Sequence, residues 1–193
     1  MVKTLNEEPH LLLEVLELSN INSLLQVIEK HKDLNGVYLG GYVEGIDERF
    51  MKIISGLSAL KTQASVVFKV RAKDVLEALD RVAEKITNVE FVAVLSDLSI
   101  LESVKLEKLS VGFEVLNPYP NVSKLRELGV KYLVIPMALL RSRIAKEAEA
   151  KNVRIIATNV NSPENYIRAR SFKVYAVVSE KPSIKREAES LGI

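Results

Sequence analysis

The amino-acid sequence predicts a single, compact (β/α)8 barrel of parallel strands, of the TIM type, and two observations carry that prediction. Eight short apolar runs recur along the 193 residues, and each is followed by an amphipathic helical stretch. Strands that alternate with helices form right-handed crossovers and a parallel sheet, and eight such units close a barrel. The length lies near the lower limit of about 200 residues for this fold. We therefore expect one domain over residues 1–193.

The predicted strands are apolar on both faces, as expected for parallel strands that enclose a filled barrel and are covered by helices. They are Leu11–Leu18, Gly36–Gly40, Ser65–Arg71, Phe91–Leu95, Val111–Leu116, Lys131–Pro136, Val153–Thr158 and Val174–Ser179. Ligands of such barrels bind where the carboxyl ends of the strands meet the following loops. Polar residues at those ends are therefore the candidates for a functional site.

Start and stop signals, together with apolar stripes at helical spacing, define the helices between the strands. The signals are Asn20 as a first cap, Asn121 or Ser123 as the start of a short helix that Gly129 closes, and Ser162 followed by Pro163. Residues 74–86 and Leu139–Lys151 carry an apolar stripe beside a charged face. Gly40 and Gly41 are expected to form a tight turn at the mouth of the barrel.

Composition excludes several kinds of chemistry. The chain has no Cys, so disulfides, thiolate catalysis and cysteine-based zinc sites are excluded, and only His10 and His31 could supply an imidazole. His10 precedes the first strand and His31 lies near the end of the first helix, so neither is expected to be catalytic. The absence of Trp and the low Gln content are typical of thermophilic proteins, and we expect such a source.

The chain is expected to be cytoplasmic. Its content of 48% hydrophobic and 27% charged residues is that of a globular protein. No apolar stretch approaches the roughly 18 residues of a membrane span, and the N-terminus lacks the apolar segment of a signal peptide. A net charge of +2, with both signs interleaved on the predicted helices, makes nucleic acid an unlikely partner.

Charged residues inside apolar strands point to a site at the barrel mouth. The period of two places Lys69 and Arg71 on the inward face of the third strand. Glu14 and Glu17 lie on opposite faces of the first strand, so only one of them can point inward. A buried lysine needs a carboxylate partner, which Glu114 or a first-strand glutamate could provide. Such a pair is either part of an ordinary ion-pair network or the remnant of a ligand site.

The last third of the chain resembles the closing strands of the glycerophosphodiester phosphodiesterases. That family has a T-V-N-D-P-E-like segment after strand seven and an I-I-T-D-R-P-like segment after strand eight. The matching text here is Asn159-Val160-Asn161-Ser162-Pro163-Glu164 and Val177-Val178-Ser179-Glu180-Lys181-Pro182, with similar spacing between the two. The resemblance implies the same barrel and a divergent member of that family.

The family's catalytic motifs are largely missing. The resemblance implies a His-Arg-Gly after strand one, a Glu-x-Asp on strand two, a second His in an insertion and a Glu-x-Lys on strand three. In this chain Tyr38 and Gly40 stand at the positions of the two acidic metal ligands. Lys69 remains on strand three, with Val67 in the place of the glutamate. Mg2+ or Ca2+ needs several oxygen ligands, and these positions supply no carboxylate.

The sequence therefore predicts a catalytically degenerate barrel, without a cofactor, that binds a small anionic, phosphate-bearing ligand or a protein partner. Lysine and arginine on one strand face would form a phosphate clamp, assisted by backbone N–H groups near the two glycines or near Asn159 and Asn161. The candidate ligand-binding residues are Glu14, Glu17, Lys69, Arg71, Asp97, Glu114, Asn117, Asn159 and Asn161.

Two other functions are kept as alternatives. One is an active phosphoric diester hydrolase of lipid metabolism that uses substitute carboxylates, from Glu14 or Glu17, Asp97 and Glu114, with Mg2+ or Ca2+ as the cofactor. The other is a ribonucleoprotein-type barrel subunit, similar to the barrel protein of archaeal ribonuclease P, against which the small net charge counts.

Overall fold

The computed structural model describes residues 8–16, 20–60 and 63–191, and it confirms the predicted barrel. Eight parallel strands follow one another in sequence order, and pairing of the first with the eighth closes the sheet. The strands are β1 His10–Val15, β2 Leu34–Tyr42, β3 Ala64–Lys69, β4 Val89–Leu95, β5 Ser110–Glu114, β6 Tyr132–Pro136, β7 Arg154–Thr158 and β8 Ala176–Ser179.

Helices surround this barrel. They are α1 Ile21–Lys30, α2 Glu48–Leu60, α3 Lys73–Lys85, α4 Val122–Glu127, α5 Ser142–Ala150, α6 Pro163–Ser171 and α7 Ile184–Ser190, together with a 3-10 helix at Ser99–Ser103. Within the described ranges, none of these helices is long and apolar enough to cross a bilayer.

The predicted caps are present. The Asn20 side chain accepts a hydrogen bond from the Ser23 backbone N–H at 3.2 Å, and the Ser162 hydroxyl accepts one from the Asn165 N–H at 3.3 Å. Asn121, rather than Ser123, opens α4 and accepts from the N–H of Lys124. Each cap satisfies a backbone donor that the first helical turn leaves without a partner.

The expectation of an amphipathic helix after every strand is wrong for the fourth unit, where only the 3-10 helix connects β4 to β5. Asp80 on α3 holds the end of this connection in place. Its carboxylate accepts hydrogen bonds from the backbone N–H groups of Glu107, Lys108 and Leu109, at 3.1, 2.9 and 2.8 Å. Three successive backbone donors before β5 are thereby held by a side chain from another element.

Several predicted boundaries also shift. α5 begins at Ser142 instead of Leu139, because residues 137–140 form a turn that buries Leu140 and leaves Arg141 extended. β3 ends at Lys69, two residues before the predicted end. Leu18, the predicted end of the first strand, lies outside the described residues.

Gly40 and Gly41 do not form the expected tight turn. β2 continues through both glycines to Tyr42, and the register against β3 shifts between Leu39 and Tyr42. This irregularity is a bulge, which lets the strand bend at the rim of a barrel.

Two apolar layers form the core. The outer layer lies between the strands and the helices, and the inner layer fills the barrel, so the interior is packed rather than open. The inner layer consists of Leu12, Tyr38, Val67, Val92, Val94, Tyr132, Val134, Ile156, Ala176 and Val178. Residues two positions further along each strand therefore point into the mouth.

Candidate functional site

An ion pair between Lys69 and Glu114 crosses the mouth of the barrel. The Lys69 Nζ atom lies 2.5 Å from Glu114 Oε1, and the two side chains are 20% and 17% exposed. Each residue ends its strand, and the two-residue repeat from the inner Val67 directs Lys69 inward. The predicted inward lysine and its predicted carboxylate partner are thus confirmed.

Glu14 lies at the same end of the barrel, two residues after the inner Leu12. Its carboxylate passes over Gly40, where an added Cβ would lie 3.5 Å from Glu14 Oε1. Burial first, and then the charge of Glu180, raise the pKa of Glu14, while Lys69 acts in the opposite direction. Among the described residues, no hydrogen bond or ion pair satisfies this half-buried carboxylate.

Tyr38 forms part of the floor of the mouth. The residue is only 4% exposed, and it pairs in register with Glu14 on one side and Val67 on the other. Burial raises the pKa of Tyr38, and the charges of Glu114 and Glu14 raise it further. The phenol therefore remains protonated at neutral pH. Its hydroxyl makes no hydrogen bond to any described residue.

Asn161 fixes the eighth-strand side of the mouth. Its side-chain oxygen accepts hydrogen bonds from the Ser179 hydroxyl and from the backbone N–H of Glu180, both at 3.0 Å. Its amide nitrogen donates to Glu180 Oε1 at 3.3 Å. The Glu180 carboxylate is thereby held at the rim, where its charge reaches Glu14.

The mouth is acidic as a whole. Glu14, Glu114 and Glu180 provide three carboxylates, and Lys69 provides one ammonium group, which gives a formal charge of −2. Because Glu114 already pairs with Lys69, the uncompensated charge lies on the side of Glu14 and Glu180.

Arg71 lies outside this cluster, on the rim. Its guanidinium donates to Glu44 at 2.9 Å and lies 4.6 Å from the centre of the Tyr42 ring. Arg71 and Glu44 are both largely exposed. Since β3 ends at Lys69, the two cations that were expected to act together have different partners and different environments.

The other predicted site residues occupy surface positions after their strands. Asp97 is exposed and accepts from the Ser99 N–H at 2.9 Å, which lowers its pKa. Asn117 is exposed and accepts from the Tyr119 N–H at 2.9 Å. Asn159 is exposed and has a positive φ of 60°. Glu17 lies outside the described residues.

Two members of the mouth, Tyr38 and Glu180, are absent from the predicted ligand-binding residues. Both could have been found by the two-residue repeat, because Glu180 follows the inner Val178 by two positions and Tyr38 precedes Gly40 by two. Tyr38 was considered only as a replaced metal ligand, and Glu180 only as part of a loop motif.

A second polar network occupies the opposite end of the barrel, at the start of the strands. Glu90 accepts hydrogen bonds from the hydroxyls of Tyr132, Tyr175 (2.7 Å) and Ser65 (3.4 Å). Arg154 donates to the Tyr132 hydroxyl at 2.8 Å and stacks over the Tyr175 ring at 4.7 Å. Glu90 is absent from the predicted site residues because its strand was predicted to begin one residue later, at Phe91.

The residues at the mouth do not fit the divalent cation that the family resemblance implies. Tyr38, Gly40 and Val67 stand where the acidic ligands would lie, and these side chains offer one neutral phenol. Within the described parts of the chain, no group of three His, Cys, Asp or Glu residues is arranged to hold a metal ion.

Comparison with known proteins shows similarity in fold without detectable similarity in sequence. No protein-family model matches the chain, and no curated protein matches it. A glycerophosphodiester phosphodiesterase from Parabacteroides distasonis is similar with a TM-score of 0.65 and 11% identity, over 96% of this chain and 100% of that one.

Two further structures show how far the similarity extends. A phosphodiesterase from Oleispira antarctica, solved with its product sn-glycerol-3-phosphate, has a TM-score of 0.60 and 12% identity over 72% of this chain, and the matched region spans 60% of that protein's length. A dihydropteroate synthase from Xanthomonas albilineans is similar at 0.63 and 11% identity, over 97% and 93% of the two chains. Barrels of different activity thus match equally well. The chain is a closed (β/α)8 barrel whose structural neighbours include glycerophosphodiester phosphodiesterases.

Proposed function

We propose that this chain is a glycerophosphodiester phosphodiesterase-like barrel that has lost metal-dependent hydrolysis and keeps a binding site for a small ligand at its mouth. The observation that carries the proposal is the row Glu14, Tyr38, Val67 across β1, β2 and β3. The family resemblance expects metal-binding carboxylates on the second and third of these strands, and a phenol and a valine occupy them. Hydrolysis through a bound cation lacks its ligands.

The same row supports binding. Tyr38 and Glu14 present polar atoms to which no described residue hydrogen-bonds, at the end of such barrels where ligands bind. Lys69 adds a donor to this surface and could meet an anionic group of the ligand, as the sequence predicts. Glu114 competes for that donor at 2.5 Å, so an anion must displace or share an internal partner.

Hydrolysis and binding are tested separately. Purified protein is assayed for release of glycerol phosphate from a glycerophosphodiester with Mg2+, Ca2+ or Mn2+, and we expect no turnover above the metal-only control. Binding of sn-glycerol 3-phosphate and of inorganic phosphate is measured by calorimetry on the parent protein and on Lys69→Ala. We expect Lys69→Ala to weaken binding of either anion by about 1–3 kcal/mol.

The active hydrolase would replace this proposal if turnover occurred and Glu14→Ala or Glu114→Ala abolished it. Such a result would show that substitute carboxylates hold the metal. Failure of every small probe to bind the parent protein would overturn the ligand site itself.

A protein partner is a second candidate, favoured by apolar side chains exposed around the mouth. Leu16 and Leu116 are both 68% exposed and Tyr119 is 77% exposed, in loops that follow β1 and β5. A second copy of the chain is the partner that can be tested directly. Sedimentation should then show a dimer that Leu116→Ser with Tyr119→Ser dissociates, whereas a parent protein that is monomeric at every concentration contradicts this candidate.

A further inference from the structure

Charge and hydrogen bonding at the mouth disagree with a purely anionic ligand. The lysine is already paired with Glu114, and the groups that remain available there are all able to accept, although the protonated Tyr38 hydroxyl can also donate. They are the Glu14 carboxylate, the rim carboxylate of Glu180 and the oxygen of the Tyr38 hydroxyl. A phosphate at this position would add negative charge beside Glu14 and Glu180. These two carboxylates already repel each other, and the charge of Glu180 raises the pKa of Glu14.

Tyr38 is the observation that separates this cluster from an ordinary acidic surface. The residue is only 4% exposed, yet its hydroxyl, whose pKa the charges of Glu114 and Glu14 raise, has no hydrogen-bond partner among the described residues. The hydroxyl oxygen is not one of the fully buried polar atoms, so it opens to the mouth, where water or a ligand can satisfy it. The opposite end of the barrel shows the alternative, since both tyrosine hydroxyls there donate to Glu90.

A metal ion is a poor complement to these groups. Within the described residues no three acidic or imidazole side chains converge on one point, and Tyr38 stays protonated because burial and neighbouring carboxylates raise its pKa. An organic ammonium group has different requirements. Each of its N–H bonds needs one acceptor, and the attached carbon chain can pack against the exposed side chain of Leu16, which lies beside Gly40 and Glu14.

We infer that the mouth binds a small ligand carrying a protonated amine, with Glu14 as its main counter-ion and the oxygen of the Tyr38 hydroxyl and Glu180 as further acceptors. This inference rests on the proposed ligand site and names the class of ligand that the site selects. A ligand with both an ammonium and an anionic group could also use Lys69. General attraction of cations to the chain does not explain such binding, because the protein carries a net charge of +2.

Glu14→Gln removes the counter-ion and keeps the size of the side chain. The probe is 1,4-diaminobutane, and 1,4-butanediol is the matched neutral compound without the charges. By calorimetry at neutral pH, the parent protein should bind the diamine and not the diol. We expect Glu14→Gln to weaken diamine binding about tenfold or more, the scale of a lost hydrogen bond between charged groups.

Tyr38→Phe should weaken diamine binding less, by about threefold to tenfold, because it removes a neutral acceptor. The matched control is Glu84→Gln on the exposed face of α3, which should leave the affinity unchanged. Circular dichroism and unfolding curves establish that both mouth variants are folded, so a lost affinity reports on the site.

The outcomes distinguish this inference from the proposed function. Binding of phosphate or sn-glycerol 3-phosphate without binding of the diamine would overturn the amine class and leave the ligand site in place. Diamine binding that Glu14→Gln does not weaken, or that the diol matches, would also overturn it. Failure of all four probes would overturn both.

Discussion

Each end of the barrel carries a glutamate beside a tyrosine, and the two ends differ in how these side chains are hydrogen-bonded. At the start of the strands, Glu90 accepts hydrogen bonds from Tyr132 and Tyr175, and Arg154 covers the group. At the mouth, Glu14 and Tyr38 are neighbours in register but neither has a hydrogen-bond partner in the described part of the chain. The first end is a completed network, and the second has polar groups left over.

This difference matches the proposed function, in which one end of the barrel stabilises the fold and the mouth binds a ligand. A completed network contributes to stability because each hydrogen bond to water that is lost on folding is replaced by one within the protein. Unsatisfied groups reduce stability and persist where something else satisfies them. Barrels of this type bind their ligands at the carboxyl ends of the strands and use the other end for stability, and the completed network of this chain lies at that other end.

The largest expected effect comes from glycines at the two ends of β2. A Cβ on Gly36 would lie 1.9 Å from the backbone oxygen of Ser65, whereas the nearest atom to a Cβ on Gly40 is the flexible end of the Leu16 side chain, at 2.9 Å. Gly36→Ala should lower the free energy of unfolding by about 3 kcal/mol, and Gly40→Ala by less than about 1 kcal/mol. Urea denaturation of both variants checks this, and equal losses would remove the contrast between the ends.

Loss of the Glu90 carboxylate should come next in size. Glu90→Ala leaves the hydroxyls of Tyr132 and Tyr175 without their acceptor, and we expect the free energy of unfolding to fall by about 2 kcal/mol. Thermal or urea unfolding measures the loss, with the exposed Glu84→Ala on α3 as the control. A change no larger than that of the control would show that the network does not stabilise the barrel.

Lys69→Met should have a smaller effect, which depends on pH. At neutral pH it leaves Glu14, Glu114 and Glu180 without a cation, and we expect a loss of about 1 kcal/mol because the ion pair is partly exposed. The loss should shrink when Glu14→Gln is added, since one of the repelling charges is then gone. Strictly additive losses in this double-mutant cycle would show that the two residues do not interact.

The smallest expected effect is the dependence of stability on the ionisation of Glu14. Burial and Glu180 raise its folded-state pKa above the ordinary 4.5, so the folded protein holds the proton more tightly than the unfolded chain. Stability should therefore fall as pH rises from 4.5 through the raised pKa, and this part of the decline should be missing in Glu14→Gln. Parallel unfolding curves from pH 4 to pH 8 are the measurement, and identical profiles would contradict the assignment.

Local sequence signals predicted the secondary structure well where a residue acts on its own neighbours. Asn20 and Ser162 cap helices because their side chains reach backbone donors three residues away. The fourth connection could not be predicted in this way. Asp80 reaches it across more than 20 residues, and the tertiary fold alone places that carboxylate beside the backbone of Glu107 to Leu109.

The candidate site was predicted only where local signals determine it, and its long-range contacts were not. The two-residue repeat of a strand determined that Lys69 points inward, and the cost of burying an unpaired charge required a carboxylate beside it. Which carboxylate it would be was left open, because Glu114 lies 45 residues away in sequence and two strands away in the barrel. Arg71 was placed on the same face, but its strand ends at Lys69, so the repeat no longer applies to it.

By itself the sequence determined the class of fold, the inward lysine and the absence of cysteine chemistry, since these follow from composition and from periods of two and 3.6 residues. The tertiary structure decided what the inward groups meet. Closure of the sheet brought Glu180 to the side of Glu14 and left the Tyr38 hydroxyl without a hydrogen bond to any residue that the structure describes. Each strand contributes a side chain to the ring around the mouth. The net charge of that ring therefore depends on closure of the barrel and cannot be read from any single segment of the sequence.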